Sequence, residues 1–277
     1  MSAGKHWLLL TNDDGIEAVG FEMLVKALHS EGYPLAVIAP SENHSATGMR
    51  INLMKPMGLR SRDDLTQRWG LDPHQTPVHL FELDGSPCDT MIVALDGGLN
   101  HLVPGAHPQM VVSGVNLGPN LSQDSYHSGT MGAAREAGLY GVPAIASSFT
   151  KFDAEGMEKA IQATLEAVAV AAKVLPPQAK NLGRPNGSTN AGYYEDWPME
   201  TGAPQWAENP NRFLRSAFAD GDLMLNVNVP PTWDGGWAST RLGVRWYRNA
   251  VRFEDTGTKQ TATFTIGAAS VDHSEVD

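Results

Sequence analysis

The stretch "HWLLLTNDDGIEAVGFEMLVKAL", residues 6–28, changes character twice. Its apolar run, Trp7–Leu10, is short and unbroken, as in a parallel strand buried on both faces. Asn12, Asp13 and Asp14 end the run, and a glycine follows. Phe21, Leu24, Val25 and Leu28 then recur at i, i+3, i+4 and i+7, one apolar stripe of a helix. A strand, a polar turn and a helix in this order open a doubly wound α/β sheet. Two adjacent carboxylates at the mouth of a buried strand repel each other, so the turn needs a reason. One reading is a turn whose aspartates cap free helix amides. The other is a divalent cation held between them.

The pattern continues outward. "LAVIAP" (35–40) reads as a second strand that ends at a proline and opens into the polar loop "SENHSATG". Residues 50–76 read as irregular, and "PVHLFELDG" (77–85) as a strand leading to a turn. In "SPCDTMIVAL", Ser86 is an N-cap, Pro87 suits the first helical turn and Asp89 completes a capping-box spacing. "PQMVVSG" (108–114) reads as a strand before the polar segment "VNLGPNLSQDSYHSGT". The small residues of "MGAAREAGLYG" predict a tightly packed helix, and "VPAIASS" (142–148) another strand. A helix from about Glu155 to Leu175 ends at Pro176–Pro177. Alternating strands and helices predict an α/β fold around a parallel sheet.

Beyond Pro177 the composition turns to Asn, Gly, Pro and Trp without a sustained period. This predicts a surface insertion, a lid or an oligomer contact. "DLMLNVNVP" (222–230) is strand-like and suited to complete the sheet, while "STRLGVRWYRN" and "TATFTIG" read as exposed strands or a hairpin. The expected division is a catalytic core at 1–177, an insertion at 178–221, and a final sheet strand with a C-terminal hairpin or arm at 222–277.

Composition narrows the function classes. The formal net charge of −11 argues against a nucleic-acid duplex or an anionic membrane as partner. A small phosphate ligand remains compatible where a metal ion or a few arginines offset the repulsion. The single cysteine, Cys88, excludes an internal disulfide and a multi-cysteine zinc site, and reads as a buried small hydrophobe. No run has transmembrane length, so a soluble, cytoplasmic protein is expected.

Three loops follow predicted parallel strands and share one edge of the sheet, where open α/β folds bind ligands. They carry Asp13 and Asp14, Ser45, and Asn116. These are carboxylate, hydroxyl and amide oxygens with no sulfur, a donor set for Mg²⁺, Mn²⁺ or Ca²⁺. Singly, Ser45 and Asn116 are ordinary loop hydrogen-bonders; their convergence with the acidic pair favours the cation. In "YHSGTMGAAREAG", Ser128, Gly129 and Thr130 stand at a predicted helix N-terminus, whose amides and dipole attract an anion. A capped helix with tight glycine packing is the plainer reading. His127 is a candidate general acid on weak grounds.

"LLLTNDDGIEAVG", "APSENHSATG", "LDGSPCDTMIVAL", "VVSGVNLGPN" and "YHSGTMGAAREAG" occur in that order. Together they resemble the SurE family (survival protein E), metal-dependent 5′/3′-nucleotidases, over Trp7 to about Ser148 and again around "LMLNVNVP" and "VRWYRN". The resemblance implies a Rossmann-like three-layer α/β/α core with a C-terminal extension that forms a homodimer or homotetramer. It implies hydrolysis of nucleoside monophosphates, with short polyphosphate as a further candidate substrate. One divalent ion per subunit, Mg²⁺ or Mn²⁺ with Ca²⁺ as a substitute, would be held by Asp13, Asp14, Ser45 and Asn116. Asn12, Asn120, Ser128, Gly129 and Thr130 match the phosphate-side positions; Asp13, Asn12, Asn120 and Ser128 are the candidate catalytic set. Two departures stand out: Ser122 replaces a family glycine, and the sequence stops at "DHSEVD", before the strand with which members usually end. Two rivals remain. An aspartyl-phosphate mechanism wants its aspartates one residue apart, unlike Asp13 and Asp14. A non-catalytic nucleotide-binding module would bind without turnover.

Overall fold

The computed structural model describes residues 5–181, 210–248, 251–255, 262–266 and 270–274. The chain first runs through β1 (Leu8–Thr11), α1 (Val19–Ser30), β2 (Leu35–Pro40), β3 (Leu59–Ser61), α2 (Asp63–Arg68) and β4 (Val78–Leu83). Next come α3 (Pro87–Val93), a kinked turn (Ala94–Gly98), α4 (Leu99–Leu102), β5 (Met110–Leu117), α5 (Asp124–His127), α6 (Gly129–Leu139), β6 (Ala144–Phe149) and α7 (Glu158–Val174). The remaining elements are α8 (Pro210–Ala219), β7 (Met224–Val229), β8 (Val244–Arg248), β9 (Val251–Asp255), β10 (Ala262–Ile266) and β11 (Ser270–Ser274).

Seven strands form one sheet in the order β3-β4-β2-β1-β5-β6-β7, parallel except for β3. Each strand sends alternate side chains to opposite faces, and the two cores follow that alternation. Leu8, Leu10, Val37, Val112 and Ile145 pack with Phe21, Leu24 and Leu28 of α1 and Ile161 and Val168 of α7. Leu9, Ile38, Val111 and Ala146 pack with Met91 of α3 and Met131, Ala133 and Ala137 of α6. Helices on both faces make the predicted three-layer fold. Burying one such leucine stabilises the protein by roughly 1.5–3 kcal/mol.

The chain departs from β1 to β2 and β4 on one side, then returns to β5 on the other. The sheet therefore reverses its winding between β1 and β5, and the crevice beyond their carboxyl ends is where such sheets bind ligands.

Three local expectations are corrected. Residues 50–76 contain β3 and α2; β3 is held by charge, with Arg60 opposite Glu82 in register and both Arg60 and Arg62 paired to that carboxylate, so no apolar period announces it. β5 extends to Leu117, so Asn116 lies inside the strand rather than after it. The 178–221 insertion contains α8, which buries Ala217 and Phe218; residues 182–209 of that insertion lie outside the described residues. As expected, β7 pairs with β6 and closes the sheet, and β8–β11 and β9–β10 form two antiparallel ladders in the C-terminal arm.

Candidate active site

Asp13 and Asp14 sit at the end of β1 and take different surroundings. Asp13 is buried, only 3% exposed. The Thr130 hydroxyl donates to its Oδ1 at 2.5 Å, and the Thr130 backbone N–H also points to it. Asp14 is half-buried, accepting from Asn43 Nδ2 at 3.2 Å, from the Leu117 N–H at 3.2 Å and from the Ser45 side chain. The carboxylates thus join three elements: Asp13 to the start of α6, Asp14 to β5 and to the loop after β2.

Local structure fixes each partner. The loop after β2 is pinned by the His44 N–H to the Asp13 carbonyl at 2.6 Å and the Gly48 N–H to the His127 carbonyl at 2.7 Å. Farther along, Asn52 donates twice to Asp89, the buried carboxylate that also completes the predicted capping box of α3 with Ser86. Asn43 accepts from the Ser45 N–H at 2.8 Å, which sets the turn carrying the Ser45 hydroxyl. In β5 the pairing with β6 shifts between Ser113 and Asn116, a bulge of the kind that re-aims side chains near active sites. Asn116 donates Nδ2 to the Gly118 carbonyl at 2.9 Å, leaving its oxygen without a hydrogen-bond donor among the described residues.

Gly129 is required by close approach. A Cβ there would lie 2.7 Å from Asp13 Cβ and 3.0 Å from its Oδ2, so any side chain would displace the carboxylate. Ser128 caps α6 by accepting from the Met131 N–H at 3.0 Å. The anion at the N-terminus of α6 in this structure is thus the Asp13 carboxylate, a use of that dipole the sequence reserved for phosphate. Thr130, expected on the phosphate side, spends its hydroxyl on Asp13.

Asn120 is buried but makes no hydrogen bond to either aspartate. Its Nδ2 donates to Ser148 Oγ at 2.8 Å, its N–H to Asn228 Oδ1 at 2.8 Å, and its carbonyl accepts from Asn226 at 3.0 Å. Ser148, Asn226 and Asn228 were missed in the sequence reading, as was Asn43; the alternation in "LNVNVP" that puts both asparagines on one face of β7 was the available signal. His127 is exposed on α5. Cys88 is buried, and burial pushes its thiol up to about 12, which suits a small hydrophobe and not a nucleophile. Ser122, at the family's glycine position, holds a left-handed φ of 50°.

Electrostatics bears on the two readings of the acidic pair. Burial pushes the Asp13 carboxyl from 3.8 up to about 6, the Thr130 hydroxyl opposing and the Asp14 charge adding to the rise. Burial also raises Asp14, against the hydrogen bonds from Leu117, Asn43 and Ser45. Among the described residues no Lys, Arg or His pairs with either carboxylate. Asn12, buried beside them, donates to the Gly15 carbonyl at 2.8 Å but leaves Oδ1 with no partner. Negative charge without a counter-charge, next to an unpartnered acceptor, fits a cation. No group of three or more His, Cys, Asp or Glu that could hold a metal ion occurs among the described residues, so a donor set here would be two carboxylates completed by neutral oxygens. That set suits a hard divalent ion.

An open α/β sheet with two carboxylates at its switch point, beside a helix N-terminus, places the chain among the doubly wound proteins that bind ligands beyond the ends of their strands. The family model described as "Survival protein SurE" matches residues 8–249, and the chain belongs to that family. A relative from Anaeromyxobacter sp. (strain Fw109-5), named 5′-nucleotidase SurE, is 33% identical over 260 residues, covering 94% of this chain and 77% of the relative. One of the same name from Carboxydothermus hydrogenoformans is 35% identical over 246 residues, 87% of this chain and 72% of that one. The crystal structure of SurE protein from Aquifex aeolicus superposes with a TM-score of 0.61 at 24% identity, over 95% of this chain and 83% of that one, and supports the fold. No described helix is long and apolar enough to cross a membrane.

Proposed function

We propose that the protein is a metal-dependent phosphomonoesterase that releases phosphate from nucleoside 5′-monophosphates, with 3′-monophosphates and short polyphosphate as further substrates. The observation that carries this reading is the meeting of Asp13 and Asp14 with the Ser45 loop, the end of β5 and the start of α6 at the switch point. The relatives named 5′-nucleotidase support the reaction class.

The donors for one Mg²⁺ or Mn²⁺ are Asp13, Asp14, Ser45 and Asn116. A bound divalent ion supplies charge neutralisation at the phosphoryl group and lowers the pKa of a bound water. The chain's own residues do the rest. Thr130 and Gly129 orient the Asp13 carboxylate, the first by donating to it and the second by leaving room for it. The Ser128 hydroxyl retains a proton to donate while its oxygen caps α6, which suits it to a phosphate oxygen. Asn12 Oδ1 is an acceptor suited to a water or hydroxyl proton. Asn120, clamped by Ser148, Asn226 and Asn228, holds the loop between β5 and α5 against β6 and β7.

The test is phosphate release from a panel of nucleoside monophosphates and polyphosphate, after chelation and after return of Mg²⁺ or Mn²⁺. Activity is expected to vanish and return. Full turnover in excess chelator, with metal analysis showing an empty protein, overturns the metal; nucleotide binding without turnover favours the non-catalytic module.

The C-terminal arm is proposed to mediate self-association as a homodimer or homotetramer. Val251 and Ile266 face each other across the β9–β10 ladder and are 54% and 82% exposed, although a two-stranded ribbon is marginally stable alone. Val251→Asp is expected to lower the mass seen by light scattering without altering Mn²⁺ affinity; an unchanged mass counts against the arm.

A further inference from the structure

We infer that Phe152 is the platform on which the substrate's nucleobase stacks, an inference that rests on the nucleotide reading above and identifies the residue that makes the site prefer nucleotides. Phe152 follows β6 on the same sheet edge as the acidic pair and is 77% exposed. A single exposed phenylalanine is unremarkable in itself; its seat is not. The ring lies against Gly118, where an added Cβ would be 2.8 Å from Cε1 and 3.1 Å from Cδ1, so the glycine makes room for the ring. Gly118 holds a φ of 120°, donates its N–H to the Phe149 carbonyl at 3.0 Å and accepts from the Asn116 amide at 2.9 Å. Its neighbour Leu117 donates to Asp14. The aromatic face is therefore fixed to the same short piece of backbone that presents one proposed ligand and steadies another.

A nucleoside monophosphate has a phosphate for the cation site and, one ribose away, an apolar planar base. A ring on the rim, coupled by backbone to that site and left open, offers the stacking surface every base accepts. Tyr126 is another exposed aromatic near the site among the described residues, but it stands on the α5 side with the Arg135 guanidinium 5.8 Å from its ring centroid. Phe152 has no ring or cation partner among the described residues.

The experiment compares the parent with Phe152→Ala, Phe152→Leu and Phe152→Trp. The measured quantity is the ratio of kcat/KM for adenosine 5′-monophosphate to that for glycerol 2-phosphate, with calorimetric titration of adenosine alongside. The ratio is expected to fall about tenfold in the Ala and Leu variants and to hold in Trp, with adenosine affinity falling in parallel. Leu retains apolar bulk on Gly118 without a planar face, so it separates stacking from packing. An unchanged ratio, equal losses on both substrates, or a change that tracks a shift in mass by light scattering overturns the inference. Parent protein that turns over glycerol 2-phosphate but not the nucleotide overturns the nucleotide reading. Should the parent turn over neither, the catalytic reading falls, and the adenosine titrations alone decide on Phe152.

Discussion

The cleft between β1 and β5 and the C-terminal arm are stabilised in opposite ways. In the cleft Asp13 rests on β1 and α6, Asp14 on β5 and Asn120 on β6 and β7, while Ser45 alone of the proposed donors stands exposed on a loop. The arm has two ladders, with Val251 and Ile266 open to water, and a polar tie to the core from the Tyr247 hydroxyl to Asp124 of α5. The contrast teaches where sensitivity to substitution belongs. A change in the cleft acts on groups that cannot relax, because the surrounding core is closely packed. A change in the arm acts on groups whose burial must come from elsewhere.

The strongest test of that contrast lies in the cleft. Asp14→Asn keeps the shape but removes one charge beside a divalent ion, and is expected to weaken Mn²⁺ binding by on the order of 2 kcal/mol or more. Thr130→Val keeps the volume and deletes the donor to Asp13, for an expected loss of about 1.5 kcal/mol, because bonds to charged groups exceed neutral ones. Ser45→Ala, whose place water can take, is expected to cost about 1 kcal/mol. Calorimetric Mn²⁺ titration ranks them. If Asp14→Asn binds as tightly as the parent, Asp14 is not a ligand and the acidic pair is only a turn.

Across to the arm, the expected effects shrink. Tyr247→Phe deletes the tie to Asp124, which lies in the short helix just before Ser128. One partly buried hydrogen bond is worth about 1 kcal/mol, so KM for the nucleotide should rise a few-fold while Mn²⁺ affinity stays put. A loss of metal affinity matching that of Thr130→Val would erase the distinction between the two regions.

The same contrast explains what the sequence could disclose. Leu8–Leu10, the Phe21–Leu28 stripe and the strand at 35–40 were legible because burial on two faces writes itself as apolar runs and periods. Asp13 and Asp14 were conspicuous because two like charges at a strand end are costly. The role of Thr130 was not legible: whether its hydroxyl serves Asp13 or an incoming phosphate depends on where α6 packs, 117 residues away in sequence. Ser148, Asn226 and Asn228 were hidden for the same reason, since a clamp on Asn120 exists only once β6 and β7 lie side by side. β3 was missed because charge, which carries no period, holds it in place, and α2 because so short a helix buries a single residue, Leu65, and shows no apolar stripe.

That charged segment makes the mildest prediction. Arg62 donates to Asp64 at 2.8 and 2.9 Å, to Glu82 at 2.6 Å and to Glu17 at 2.6 Å, tying α2 to the residue three beyond Asp14. The bond from Arg62 holds the Asp64 carboxyl down from 3.8 to about 2, with the Arg62 and Arg68 bonds lowering Glu17 in the same way. Carboxyls with depressed folded-state values stabilise the fold above their unfolded values and lose that contribution as pH falls through the folded ones. The contribution is therefore complete at neutral pH and disappears between about 4 and about 2. Arg62→Met should lower Tm slightly at pH 7, less so in high salt, because Asp64 and Glu17 lie at the solvent-exposed surface and the buried Glu82 keeps Arg60 as a partner. Near pH 2 the two proteins should melt together. A Tm difference that is the same at pH 7 and pH 2 would mean that Arg62 acts through the packing of its stem and not through its ion pairs.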